Sequence, residues 1–276
     1  MAMVRLIFIN VLFISVMVGT HLIAKERKQG ESIYQSGELY LASEQQMADI
    51  DKTIDKAKET NKLALIIMGA NWCHDSRALA SRLFLPEVKS VIDSDYELLF
   101  VDVGYLTNVK EPITRFGMPV IYATPTVLVL DPITETRING HNMHIWRDAD
   151  KVSVPDTINY FSTIAKDRTS LLSAIIKDRN NQSNHLKELN QSIDDFERQQ
   201  ADRIYKAFTI LEPLLKERNE GGKAKGFMKH WVRVAKLRYA VTDDLSKLRQ
   251  QAKDIASGDA SDSNLSFPQY QAFDWE

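Results

Sequence analysis

Cys73 is the only cysteine in the 276-residue chain, and it stands in Trp72-Cys73-His74-Asp75-Ser76. An apolar run, Leu63 to Met68, ends just before it, and a helical pattern begins just after it. A thiol at a strand-to-helix turn faces unpaired backbone N–H groups and the positive end of the helix dipole, both of which favour a thiolate. His74 places a titratable imidazole beside the sulfur, which acts in the same direction. Ser76 lies one turn on, where its hydroxyl can donate to a thiolate or serve as an ordinary first-turn serine. Asp75 reads as a first-turn acid matched to the dipole. With no second cysteine there is no intramolecular disulfide. Any redox cycle passes through a mixed disulfide with another molecule or through a sulfenic acid. The plainer reading of a lone cysteine is a small buried hydrophobe.

The elements that must position this group follow from periodicity. Ser43 and Gln46 form a capping-box pattern ahead of a helix that carries Met47, Ile50, Ile54 and Ala57 on one face and fades near Asn61. Leu63 to Met68 is continuously apolar, as expected of a strand buried on both faces. Helix is expected from Cys73 to about Asp93, with Pro86 breaking or kinking it. A strand follows over Glu97 to Val103, then a short helix around Val109 to Phe116. Thr124-Pro125-Thr126 opens the strand Val127 to Leu130. Asp131-Pro132 turns the chain, and Thr136 to Asn139 can return antiparallel. Ser153 caps a further helix carrying Ile158, Phe161 and Ile164. Alternating strands and helices imply a mainly parallel α/β sheet with helices on both faces.

Beyond Ser170 the character changes. Leu186, Leu189, Ile193, Phe196, Ile204, Phe208, Leu211 and Leu215 recur at spacings of three and four, with Gln200 interrupting the stripe. Gly221-Gly222 ends this segment. A second helical pattern carries Phe227, Trp231, Val234, Ala235 and Leu237. The two fit an antiparallel hairpin over residues 170–252, or a coiled coil through which copies of the chain self-associate. Residues 253–276 turn to Ser, Asp, Gly and Asn and read as a flexible tail, whose aromatic end (Phe267, Tyr270, Phe273, Trp275) suits docking.

At the other end, Arg5 precedes a stretch free of charged side chains from Leu6 to Ala24. Residues 1–24 fit a secretory signal peptide or a membrane anchor, and 25–42 a polar linker. Basic residues flank the stretch on both sides, so orientation is open. The expected location is exported, periplasmic or otherwise extracytoplasmic, with or without membrane anchoring. A net charge of −2 spread over ions of both signs argues against a nucleic-acid partner. No phosphate loop, Ser-His-Asp signature or paired-carboxylate site calls for a cofactor. His141, His144, Asp148 and Asp150 are too loosely spaced for a metal site and read as a polar surface loop.

Ala70-Asn71-Trp72-Cys73-His74-Asp75-Ser76 after a buried strand, together with Thr124-Pro125-Thr126 opening a later one, resembles the thioredoxin superfamily over about residues 43–166. The resemblance implies a thioredoxin-like mixed sheet flanked by helices, followed here by an α-helical C-terminal region. It implies that Cys73 is the attacking thiolate, that Pro125 is a cis-proline facing it, and that Thr124 offers backbone groups to an extended substrate. It also puts Trp72 on the rim of the substrate groove. Two positions depart from the dithiol members of the family: Ser76 replaces the resolving cysteine, and Ile67 stands where many members carry a buried acid. A Cys-x-x-Ser motif is that of monothiol relatives, which form long-lived mixed disulfides or work with glutathione.

The expected function is thiol–disulfide exchange through one nucleophile, with Cys73, Ser76 and Pro125 catalytic and Trp72, His74 and Thr124 contacting substrate. The partners are client protein thiols or disulfides, or a low-molecular-weight thiol. The alternative is a redox-inactive thioredoxin-fold binding or scaffold module that uses the peptide groove and the C-terminal helices.

Overall fold

The computed structural model describes residues 39–107, 109–260 and 263–276. The targeting or anchor segment at 1–24 and most of the linker at 25–42 lie outside them. No helix among the described residues is long and apolar enough to cross a membrane.

Helix α1 (Gln46–Thr60) leads into strand β1 (Leu63–Gly69), every residue of which is buried. The capping box does not form. Ser43 Oγ instead donates to Asp49 Oδ2 at 2.8 Å, and Gln46 Nε2 donates to the Asp102 carbonyl at 2.7 Å. The helical stretch after Cys73 divides at Leu85 into α2 (His74–Leu83) and α3 (Pro86–Asp95). Pro86 sits in the first turn of α3, where its missing N–H has no helical partner to lose. Strand β2 (Tyr96–Asp102), the short helix α4 (Lys110–Arg115) and strand β3 (Thr126–Leu130) complete a three-stranded sheet of order β2-β1-β3.

The sheet is mixed rather than mainly parallel. β1 runs parallel to β2, with Ile66 opposite Leu99, and antiparallel to β3, with Ile66 opposite Leu128. Helices α2 and α3 carry the chain back along the sheet between β1 and β2, as a parallel crossover requires. The 6 residues of α4 span only about 9 Å, too short to repeat that return, so β3 starts at the end where β2 stops. The expected return strand at 136–139 is reduced to a bridge between Leu130 and Arg137. The Asn139 side chain takes its place: Oδ1 accepts from Val129 N at 3.0 Å and Nδ2 donates to the Val127 carbonyl at 2.9 Å.

The sheet's two faces anchor two apolar clusters. Leu63, Leu65, Ile67, Val127 and Val129 pack with Leu79, Leu83, Val88, Ile92, Trp146 and Phe161. Tyr40 belongs to this cluster at 2% exposure, so the stretch read as linker already enters the domain at its end. Ala64, Ile66, Met68, Leu128 and Leu130 form the opposite face, against Ile50 and Ile54 of α1.

A 3₁₀ stretch (Met143–Lys151), kinked at Asp148, leads into α5 (Val154–Asn180), capped by Ser153. This helix runs unbroken past residue 170. The long helices α6 (Asn184–Asn219) and α7 (Phe227–Ser257) then pack against each other, with Arg249 of α7 bonded to Asn190 of α6 and the chain turning at Gly221, Gly222 and Gly226. Their apolar stripe does not stand apart from the sheet. Ile204, Phe208, Leu211 and Leu215 of α6, with Val234, Leu237 and Val241 of α7, join the same cluster as Ala64, Ile66 and Met68. Residues 253–257 finish α7, and the segment 263–276 lies on the hairpin instead of standing free as a tail. Phe273 is buried at 6% exposure, and Arg203 of α6 meets Glu276 at 2.6 Å. Its aromatic rings supply the apolar surface that the polar composition of this stretch concealed.

Candidate functional site

Cys73 follows the C-terminal end of β1 and is the residue that caps α2. Its backbone is extended (φ −84°, ψ 124°), and its side chain caps no helix N–H. The sulfur therefore points across to the β3 entry, where the thiol donates to the Thr124 carbonyl at 3.1 Å. The next peptide bond, Thr124–Pro125, is cis. Cys73 thus meets the Thr124–Pro125 pair, 51 residues on in the sequence; Cys73 is 8% exposed and Thr124 7%.

The turn before the cysteine is held from several sides. Trp72 Nε1 donates to the Gly104 carbonyl at 2.8 Å. Asn71 Nδ2 donates to the Tyr40 carbonyl at 2.8 Å, and Asn71 Oδ1 accepts from Tyr40 N at 3.3 Å. Arg77 Nη1 donates to the Asn71 carbonyl at 2.8 Å. The Tyr40 hydroxyl donates to the Ser76 carbonyl at 3.2 Å. A Cβ at Gly69 would lie 2.6 Å from the Tyr40 ring and 2.7 Å from Ser76 Oγ, so only glycine fits there. Tyr40 pins both ends of the motif, and no sequence signal marked it.

The other site residues from the sequence fall in different places. Ser76 is fully buried, but its Oγ faces Gly69 and the Tyr40 ring and has no hydrogen-bond partner among the described residues; it makes no hydrogen bond to the sulfur. His74 is exposed, its Nδ1 3.8 Å from Asp150 Oδ2. Trp72 is half-buried, and its indole meets Trp231 of α7 edge-on at 6.0 Å between ring centroids. Nearby, Tyr122 donates to Glu197 Oε1 of α6 at 2.8 Å, and burial holds the Glu197 carboxyl above its usual range. The hairpin thus covers the rim along which an extended chain was expected to lie.

Asp75 is brought to Asp150, whose backbone N–H donates to its Oδ1 at 3.1 Å. Burial, with the charge of Asp150 added, raises the Asp75 carboxyl to about 6, against a lowering pull from His74. Ligand atoms of His74, Asp75 and Asp150 lie within 4.8 Å of one another, but two of the three side chains are exposed, and exposed acidic groups commonly cluster without an ion. Asp150 sits in the loop read from sequence as polar surface, and only the fold carries it to the motif. Arg238 of α7 is the other group that sequence reasoning missed. It is 3% exposed, and the charges that act on it are those of Tyr239 and Cys73. A cavity of about 250 Å³ bounded by Lys56, Lys62, Tyr96 and Glu97 lies at the opposite end of the sheet, away from the cysteine.

Residues 45–132 match the thioredoxin-like family model. No curated protein matches the chain. Among solved structures, a disulphide isomerase from Xylella fastidiosa Temecula1 is similar at 26% identity and a TM-score of 0.41, over 45% of this chain and 96% of that one. The matched segment holds α1, the sheet, Cys73 and Pro125 in the order and geometry just described. Residues 45–132 are thus similar to a thioredoxin-like domain, and the helices beyond them lie outside the match.

Proposed function

We propose that this protein carries out thiol–disulfide exchange with Cys73 as its single nucleophile. The observation that supports this most strongly is the meeting of the chain's one thiol, at the N-terminus of α2, with the Thr124 carbonyl and Pro125. The Cys73 thiolate attacks one sulfur of a disulfide R–S–S–R′. A bond forms from Cys73 to R–S, the old S–S bond breaks, and R′–S⁻ leaves with the electron pair. An external thiolate then attacks the mixed disulfide, takes R–S, and restores the Cys73 thiolate. No net oxidant is consumed. Ser76 cannot resolve the mixed disulfide as a cysteine would, so release depends on that external thiol. The disulfide belongs to a client protein or to a low-molecular-weight thiol. The apolar stretch after Arg5 supports work outside the cytoplasm, where disulfides persist.

A second reading has its own support. Cys73 is 8% exposed and Trp231 packs on Trp72, which suits a redox-inactive scaffold whose groove is filled by its own hairpin. One experiment separates the two. The folded full chain and its Cys73→Ser variant are incubated with glutathione disulfide and with a disulfide-bonded peptide, and the products are weighed by mass spectrometry. The exchange reading predicts an adduct on Cys73 that a thiol removes and that the variant lacks. An absence of adducts, with partner binding unchanged in the variant, would establish the scaffold.

A further inference from the structure

Helix α7 is tied to the surroundings of the cysteine at two points. At one side Trp231 meets Trp72, the residue before Cys73. At the other, Asp243 Oδ1 accepts from Arg147 Nη1 at 3.1 Å, and the Arg147 guanidinium lies over the Tyr239 ring at 5.0 Å. Arg147 belongs to the 3₁₀ stretch whose Asp150 touches His74 and Asp75. Between these two anchors, about two helical turns past Trp231 and so on the same face, stands Arg238.

Arg238 is an unusual arginine. It is 3% exposed, and its Nε and Nη2 have no hydrogen-bond partner among the described residues. Phe208 of α6 backs the guanidinium, 5.3 Å from its ring centroid. Burial brings it down to about 10, with Tyr239 and Cys73 pulling the other way, so it carries its charge at neutral pH. Tyr239, its neighbour on α7, feels in turn the charges of Asp75 on α2 and of Arg147 and Asp148 on the 3₁₀ stretch. Among the described residues, no carboxylate is among the charges that act on Arg238. A buried cation without an anion is strongly unfavourable, and its donors call for a negative partner.

We propose that Arg238 is a positioning residue for Cys73, the counter-charge that receives the sulfur when it ionises. Resting on the exchange reading above, this makes α7 part of the reaction centre from outside the thioredoxin-like domain. In the neutral state the thiol donates its proton to the Thr124 carbonyl. Once that proton leaves, the sulfur is an acceptor only, and a carbonyl oxygen no longer suits it. The unpartnered N–H groups of Arg238 then supply what the carbonyl cannot.

The test uses two alkylating reagents of different charge on the full chain. A thiolate paired with a buried cation repels the anionic reagent less than a free thiolate does. The ratio of iodoacetate to iodoacetamide rates at Cys73 should therefore exceed that of free glutathione by about tenfold. Arg238→Met should bring the ratio down to the glutathione value, while Arg238→Lys should keep most of it. A wild-type ratio equal to that of glutathione, or an unchanged ratio in folded Arg238→Met, would overturn the assignment. If Arg238→Met does not fold, the wild-type ratio and the Lys variant decide. Reaction with both reagents at the free-thiol ratio removes only the role of Arg238. Reaction with neither removes the exchange reading as well.

Discussion

Two arginines of the α6–α7 hairpin are treated in opposite ways. Arg203 reaches the C-terminal segment, where Nε and Nη2 grip the two carboxylate oxygens of Glu276 at 2.6 and 3.0 Å, Nη2 also meets the Gln271 carbonyl at 2.9 Å, and Nη1 meets Gln200 Oε1 at 2.9 Å. Arg238 is far more deeply buried, yet two of its donors have no partner among the described residues. A contact that only holds the chain together satisfies its charges. A buried charge whose donors are left open costs stability. The difference divides the hairpin into an end whose charges are satisfied and an end where they are left open.

The largest expected effect is on the shared apolar support. Phe208 is 3% exposed, backs Arg238, and packs in the cluster that joins the hairpin to the sheet. Phe208→Ala should lower unfolding free energy by about 3–5 kcal/mol in a denaturant titration. A loss under about 1 kcal/mol would mean that the hairpin is not part of the domain's core.

The two arginines themselves should respond with opposite signs. Arg238→Met removes a buried unpaired charge and should leave stability unchanged or raise it by about 1–3 kcal/mol. Arg203→Met breaks a partly exposed bidentate pair and should lower stability by about 1 kcal/mol. Equal losses for both would erase the contrast.

A smaller effect lies in the pH dependence. The Asp75 carboxyl sits at about 6 in the folded chain, above its ordinary value of 3.8, because of burial and Asp150. The folded state therefore holds this proton more tightly than the unfolded one. Asp75 favours the folded state at low pH, and that contribution is lost as pH rises from about 4 to about 6. Glu276 acts in the other direction. Arg203 lowers its carboxyl below 4.5, so its contribution is present above that value and is lost as the pH falls further. Asp75→Asn should flatten the stability profile between pH 4 and 6, and Arg203→Met should flatten only the more acidic limb. An unchanged profile in Asp75→Asn would mean that its carboxyl is not held up by the fold.

What the sequence made legible were the features fixed by neighbours along the chain. The apolar run at 63–68, the break at Pro86, the Ser153 cap and the stripe from Leu186 to Leu215 all depend on local periodicity or backbone chemistry, and the elements follow them. Cys73 and Pro125 could be paired in advance only through resemblance to a family. What stayed hidden were long-range substitutions of one group for another. Asn139 replaces a strand by its side-chain amide, Gln46 leaves its capping role for the Asp102 carbonyl, and Tyr40 anchors the motif from a stretch whose composition reads as linker. Arg238 was invisible because a helical arginine reads as solvated until its burial is known. The same stripe that revealed α6 could not show that its partner surface included the sheet itself.

The most direct test of the central claim is the rate at which iodoacetamide alkylates Cys73 in the folded full chain at neutral pH, set against the same chain unfolded in denaturant. If Cys73 is the nucleophile of an exchange reaction, the folded chain reacts faster than the unfolded one, despite the burial of the sulfur. A thiol that stays unmodified until the chain unfolds would contradict the account and leave the cysteine as a packed side chain beneath the hairpin.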